Sequence, residues 1–164
     1  MGTAYTAQDW SELFVASAGA SAALTGLLFV AVSVNIERIL NFPGLPERAL
    51  QTLLLLLSAV LVSLIGLIPG QSTTALGVEL LVASIVFAAP IYALMFKTMP
   101  GARDYAHPAV HLSLILPGTL PLIIGSVSLI ALAGGGLYWI VAGLLGAILG
   151  ASINAWVLLV EILR

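Results

Sequence analysis

Polar positions are sparse along this chain and fall in clumps, so the intervals between the clumps define the elements. Between Glu12 and Glu37 no Asp, Glu, Lys or Arg occurs, and the stretch reads LFVASAGASAALTGLLFVAVSVNI. At about 1.5 Å rise per residue, such a run crosses a hydrocarbon core of about 30 Å with some tilt to spare. The next clump, NFPGLPER, is a turn in which Pro46 and Glu47 suit a first helical turn, because proline has no donor to lose there. Pro69-Gly70-Gln71-Ser72 closes the following run, and KTMPGARDYAHP forms a second long polar clump. From Tyr105 to Val160 no charged residue occurs, too far for one helix and right for two separated by Gly134-Gly135-Gly136. The pattern predicts spans over about 12–36, 47–68, 74–97, 109–133 and 137–162. The fold class expected is therefore all-α, a single polytopic integral membrane domain of five transmembrane helices.

Composition agrees and narrows the functions. The chain is 61% hydrophobic and 7% charged with a mean hydropathy of +1.18, outside the range of soluble globular domains. It has no cysteine, which excludes disulfides, thiolate metal sites and cysteine nucleophiles. A net charge of −2 resting on so few charges gives no signal for nucleic acid. Arg38, Arg48, Lys97, Arg103 and Arg164 all fall at the ends of spans that share one side, so the positive-inside rule predicts N-terminus out and C-terminus in. Asp9 and Glu12 precede the first run where a signal peptide would carry Lys or Arg, so that segment reads as retained, with Trp10 as an interfacial anchor on a short polar tail.

Candidate chemistry is confined to a few positions. On a helical wheel Ser17, Ser21, Thr25 and Asn35 share one face of the first span, and Gly19, Ala23 and Gly26 lie opposite. The hydroxyl face either lines a wet path or cavity or bonds its own helix carbonyls in a tight packing seam. The small residues from Ala16 to Ala23 mark this span as the packing axis of a bundle or assembly. Pro117-Gly118-Thr119-Leu120-Pro121 predicts a break in the fourth span that frees the carbonyls of Ser113 and Pro117, and Pro90 frees that of Val86. Such carbonyls coordinate ions in some membrane proteins and merely accompany kinks in others. Gly143, Gly146 and Gly150 make the fifth span a contact helix, and Asn154 on it needs a polar partner such as Thr119 or Asn35. Asp104, His107 and His111 are weak candidates for a divalent metal, short of a full ligand set. Glu12 and Glu79 either form a cation-attracting mouth or snorkel, and Glu161 suits an interfacial ion pair. No nucleotide loop, zinc motif or nucleophile triad is present, so neither enzyme activity nor a cofactor is expected.

The segments ASAGASAALTGLLFVAVSVNIERIL, FPGLPERAL and LVSLIGLIPGQ resemble an uncharacterised family of small five-span bacterial integral membrane proteins, some of which carry the label of modulators of the FtsH protease. The resemblance spans nearly the whole chain and implies a bacterial plasma-membrane location, without supplying an active site. Protease modulators of the Bax-inhibitor type have seven spans and paired acidic residues, which this chain lacks, so their mechanism does not carry over. Two functions are expected from the residues. One is a homo-oligomeric channel or transport-like pore lined by the first helix. The other is a non-conducting scaffold or regulatory subunit packed against a larger membrane partner, with lipid binding as a third possibility.

Overall fold

A computed structural model describes residues 3–98 and 108–163; the candidates Asp104 and His107 lie outside them. Two short 3₁₀ turns, Thr3–Tyr5 and Ala7–Trp10, lead into helices α1 (Ser11–Val34), α2 (Ile36–Asn41), α3 (Leu45–Gly66), α4 (Thr73–Thr98), α5 (Pro108–Ala131) and α6 (Leu137–Leu163). Five of them, α1 and α3 to α6, are long and apolar enough to cross a membrane. Among the described residues there is no strand. The chain is an all-α bundle of the kind expected for a polytopic membrane protein.

Pro46 stands in the first turn of α3 with Glu47 beside it, as the sequence predicts, and Gly44 supplies the left-handed N-cap at φ 89°. The first span ends earlier than expected. Asn35 sits at φ −107°, ψ 16°, between α1 and α2, and its amide donates to the carbonyl of Ala31 at 2.9 Å. That side chain competes for the helical carbonyl and turns the chain into the separate six-residue α2.

The hub of the bundle is α3. It packs against α1, α4 and α6, while α5 lies between α4 and α6. The first span is peripheral: its apolar window is only 22% buried, against 56% for α3. The small residues of α1 thus do not make it the axis of the protomer. The reason is rotational, because the helix turns its hydroxyls inward. The ring of Phe14 fills the space over Gly66, where a Cβ would stand 2.7 Å from Cε2. Ser17 and Ser21, on the same face as Phe14, are buried with it.

The break expected in the fourth span does not occur. Helix α5 is continuous through Pro117 and Pro121. The prolines remove donors, but the neighbouring helix makes the loss tolerable. A Cβ on Gly146 would overlap the carbonyl of Pro117, and one on Gly150 that of Leu114. So the glycines of α6 let its backbone lie directly on that of α5, with exposed carbonyl oxygens facing Cα hydrogens.

At the end of the bundle carrying the N-terminus, here the N-terminal face, the two 3₁₀ turns form a strap across both connecting loops. Thr73 Oγ1 donates to the carbonyl of Tyr5 at 2.9 Å, and the amide of Gly135 donates to the Tyr5 hydroxyl at 3.2 Å. Trp10 Nε1 donates to the carbonyl of Thr3 at 2.8 Å, and its ring meets Tyr138 edge-on at 4.8 Å. What read as a polar tail with an anchor is an ordered cap. Gly136, at φ 49°, has room for no Cβ beneath the Ala4 carbonyl. Gly136→Ala is expected to lift the strap, speeding hydrogen exchange at the Gly135 amide about ten-fold, the factor that corresponds to about 1.4 kcal/mol. Unchanged exchange there would show that the strap does not depend on this contact.

Candidate functional site

Buried serines and Thr119 are spread along the bundle, but the larger buried polar side chains, Arg48, Gln51 and Asn154, gather with Thr52 at the opposite end, called the basic face because Arg38, Arg48 and Lys97 lie there. Helix α3 begins with Arg48, Gln51 and Thr52 at i, i+3 and i+4, which puts all three on one side of its first turns. All three are buried, as is Asn154 of α6. Arg48 Nη2 donates to Asn154 Oδ1 at 3.3 Å, and Asn154 Nδ2 donates to Thr52 Oγ1. Thr52 Oγ1 in turn donates to the carbonyl of Arg48 at 2.8 Å. The chain closes on itself: guanidinium, amide, hydroxyl and carbonyl each direct the next, so Asn154 is held in one orientation.

Beside this ring Gln51 reaches across to α4, donating from Nε2 to the carbonyl of Ile91 at 2.9 Å. That bond fixes the amide, since a flipped Gln51 would set oxygen against oxygen. Its Oε1 has no hydrogen-bond partner although the residue is only 2% exposed. Gln51, Thr52, His111 and Asn154 line a cavity of about 10 Å³ together with Leu114 and Gly150. That is room for about one water, which needs polar partners of the sort these side chains provide. At the rim Lys97 Nζ lies 3.8 Å from Glu47 Oε1, a solvent-facing pair of small energetic weight.

The residues singled out from the sequence are thus divided among several places. Asn154 is the one that belongs to the buried ring, but its partners are Thr52 and Arg48 rather than Thr119 or Asn35. Thr119 lies elsewhere, between α4 and α5, where its hydroxyl is 2.7 Å from that of Tyr92. Because Thr119 gives its single proton to the carbonyl of Ile115 at 3.1 Å, Tyr92 is the donor of that pair. Ser17 and Ser21 are buried on the α3 side of α1. The Thr25 hydroxyl donates to the carbonyl of Ser21 at 2.7 Å, and Ser113 donates likewise within its own helix to Val110 at 2.7 Å. Val86 is 61% exposed on the outer surface of α4, so no cavity surrounds it. His111 joins the cavity wall, and among the described residues no group of three His, Cys, Asp or Glu could hold a metal.

The glycines also separate into two sets. Gly143, Gly146 and Gly150 are used up inside the protomer against Leu122, Pro117 and Leu114 of α5. Gly19 and Gly26 have nothing within 4 Å of a Cβ position, and Ala23 is exposed beside them. Arg48, Gln51 and Thr52 were not among the sequence candidates. Their signal was present as an i, i+3, i+4 polar face on a helix otherwise rich in leucine, masked by its closeness to the polar turn before it. No known protein family, no curated protein and no solved structure matches this chain.

Proposed function

We propose that this chain is a self-associating, non-conducting scaffold subunit of a bacterial plasma membrane, with its N-terminal face outward and its basic face in the cytoplasm. The observation that carries the reading is the outward face of α1. Ala16 and Ala20, Gly19 and Ala23, and Ala22 and Gly26 are three small-xxx-small pairs, all exposed. Elsewhere the outward residues are large, as at Val82, Ile85 and Val86 of α4 or Leu145, Leu149 and Ile153 of α6. Lipid tails pack well against large aliphatic chains, whereas a smooth face of alanine and glycine gains most from another backbone at close range. A second copy of the same helix is the occupant that fits. It brings the same smooth face, and with no charge between Glu12 and Glu37 a two-fold pairing meets no repulsion within the membrane.

Several features support a scaffold over a pore. A channel lined by the Ser17, Ser21 and Thr25 stripe needs those hydroxyls on the surface that copies share. Ser17 and Ser21 instead point into the protomer, and Thr25 bonds its own helix. The inward polar groups at the basic face form a closed ring beside a cavity with space for about one water. The charge distribution supports the orientation, and the resemblance to the five-span family supports the location.

Native mass spectrometry of the detergent-solubilised protein tests the pairing. Wild type is expected as a dimer or higher homo-oligomer, and Gly19→Leu with Ala23→Leu as a monomer whose melting temperature stays within a few degrees, as exposed positions allow. Proteoliposomes should leak ions no faster than empty vesicles. A monomeric wild type, or an oligomer indifferent to both substitutions, overturns the pairing; ion flux abolished by Ser21→Val restores the pore.

A further inference from the structure

At the N-terminal face, between the strap, the α3–α4 turn and the end of α5, opens a cleft of about 540 Å³. That volume lies in the range of small-molecule sites. Its polar lining consists of hydroxyls and amides, among them Gln8, Gln71 and Thr74, with no charged side chain, and its apolar wall includes Ile68 and Leu132. We propose that this cleft binds a neutral, polyhydroxylated group, the sugar headgroup of an uncharged glycosyl diacylglycerol.

Charge excludes the commoner headgroups. The described basic residues Arg38, Arg48 and Lys97 all sit on elements at the other end of the bundle, whereas Asp9 lies on the strap, Glu12 on the first turn of α1 and Glu79 on the second turn of α4, bonded to Gln71 of the cleft wall. Among the described residues a phosphate there would meet carboxylates and no compensating side-chain cation. A sugar hydroxyl both donates and accepts, which matches a lining of Thr, Ser and Gln. Gln71 illustrates the need for a donor: its Nε2 is spent on Glu79 Oε2 at 2.5 Å, and its Oε1 has no partner.

Depth argues for a lipid rather than a solute. Trp10, Tyr138 and Trp139 gather at the same face, the arrangement of aromatic rings at headgroup level. Ile68 and Leu132 are about half exposed, so the apolar wall runs on to the surface where acyl chains would lie. Leu132 is held there at a cost. It stands at φ 52° at the end of α5, where the amide of Ala133 reaches the carbonyl of Ser128 at 3.2 Å. This is the helix stop in which glycine is the relaxed residue and leucine a strained one. A leucine kept in that position puts an apolar side chain on the rim of the cleft.

The test is native mass spectrometry of the protein titrated with monoglucosyl diacylglycerol and, separately, with phosphatidylglycerol of the same acyl chains. Glycolipid binding at least ten-fold tighter than phosphatidylglycerol is expected. Thr74→Trp, which fills the cleft from an exposed position, should remove that preference, and Val82→Trp, elsewhere on the same helix, should not. Leu132→Gly gives the sharper result: relief of the strained φ should raise the melting temperature while glycolipid retention falls. Competition by methyl glucoside would assign the cleft to the free sugar rather than the lipid, within the same chemistry. Equal retention of the two lipids, or glycolipid binding unchanged in Thr74→Trp and in Leu132→Gly, overturns the proposal.

Discussion

Gly146→Leu is expected to break the contact between α5 and α6 and to destabilise the fold by about 3 kcal/mol, the upper part of the range for overpacking a close-packed interior. The obstacle is backbone rather than a flexible side chain. A Cβ at this position overlaps the carbonyl of Pro117, and that oxygen has lost its helical donor because the residue four places on is Pro121. Neither side can yield by changing a rotamer, so the two helices must move apart along the whole seam, including Gly118 against the backbone of Ala147. Gly19→Leu makes the matched comparison. It places the same side chain on an equally apolar helix at a site with nothing within 4 Å, and should cost the protomer under about 0.5 kcal/mol. Thermal unfolding of the two variants in one detergent decides the matter, and equal midpoints would show that the seam is looser than its geometry.

The contrast between these two glycines marks the limit of what the sequence discloses. Hydropathy and the placement of Pro46 locate the five spans to within a few residues, because crossing the membrane needs length and apolarity and both are local properties. That the described basic residues Arg38, Arg48 and Lys97 share one end of the bundle is legible for the same reason. Which way a helix faces is not local. A wheel separates Ser17 and Ser21 from Gly19 and Gly26, yet it does not say which side meets α3, and the answer rests on Phe14 docking over Gly66. The prolines of α5 suggested a break because their missing donors were weighed alone. The glycines of α6 that cover the freed carbonyl lie in a distant part of the chain. The buried ring was half visible for a similar reason: Asn154 stood out as polar within an apolar run, while Arg48, Gln51 and Thr52 sat close to a turn and read as its continuation. The strap was hidden because its bonds run from Tyr5 to Thr73 and Gly135, contacts that no periodicity encodes.

Asn154→Leu is expected to lower stability by about 2 kcal/mol, from two hydrogen bonds of which one is to a charged donor. Leucine keeps the branching and heavy-atom count of asparagine but is bulkier, so part of the loss is overpacking, and the double variant below isolates the ring. What remains is an Arg48 guanidinium deprived of the Oδ1 acceptor and a Thr52 hydroxyl deprived of its donor, both away from water. Thr52→Val removes only the second of these and should cost about 1 kcal/mol. The double variant separates a ring from two independent contacts: once Asn154 is gone, the hydroxyl of Thr52 bonds only the helix carbonyl of Arg48, and its removal should then cost almost nothing. Asn154→Asp keeps the acceptor for Arg48 but not the donor to Thr52, so its stability should fall between wild type and Asn154→Leu. Strict additivity of Asn154→Leu and Thr52→Val in reversible unfolding would mean that the two side chains are neighbours without being coupled. Loss of additivity together with the intermediate aspartate assigns the orientation of α6 on α3 to this ring, since the cluster of Leu158 with Ile39, Leu45 and Ala49 beside it is apolar and permits rotation.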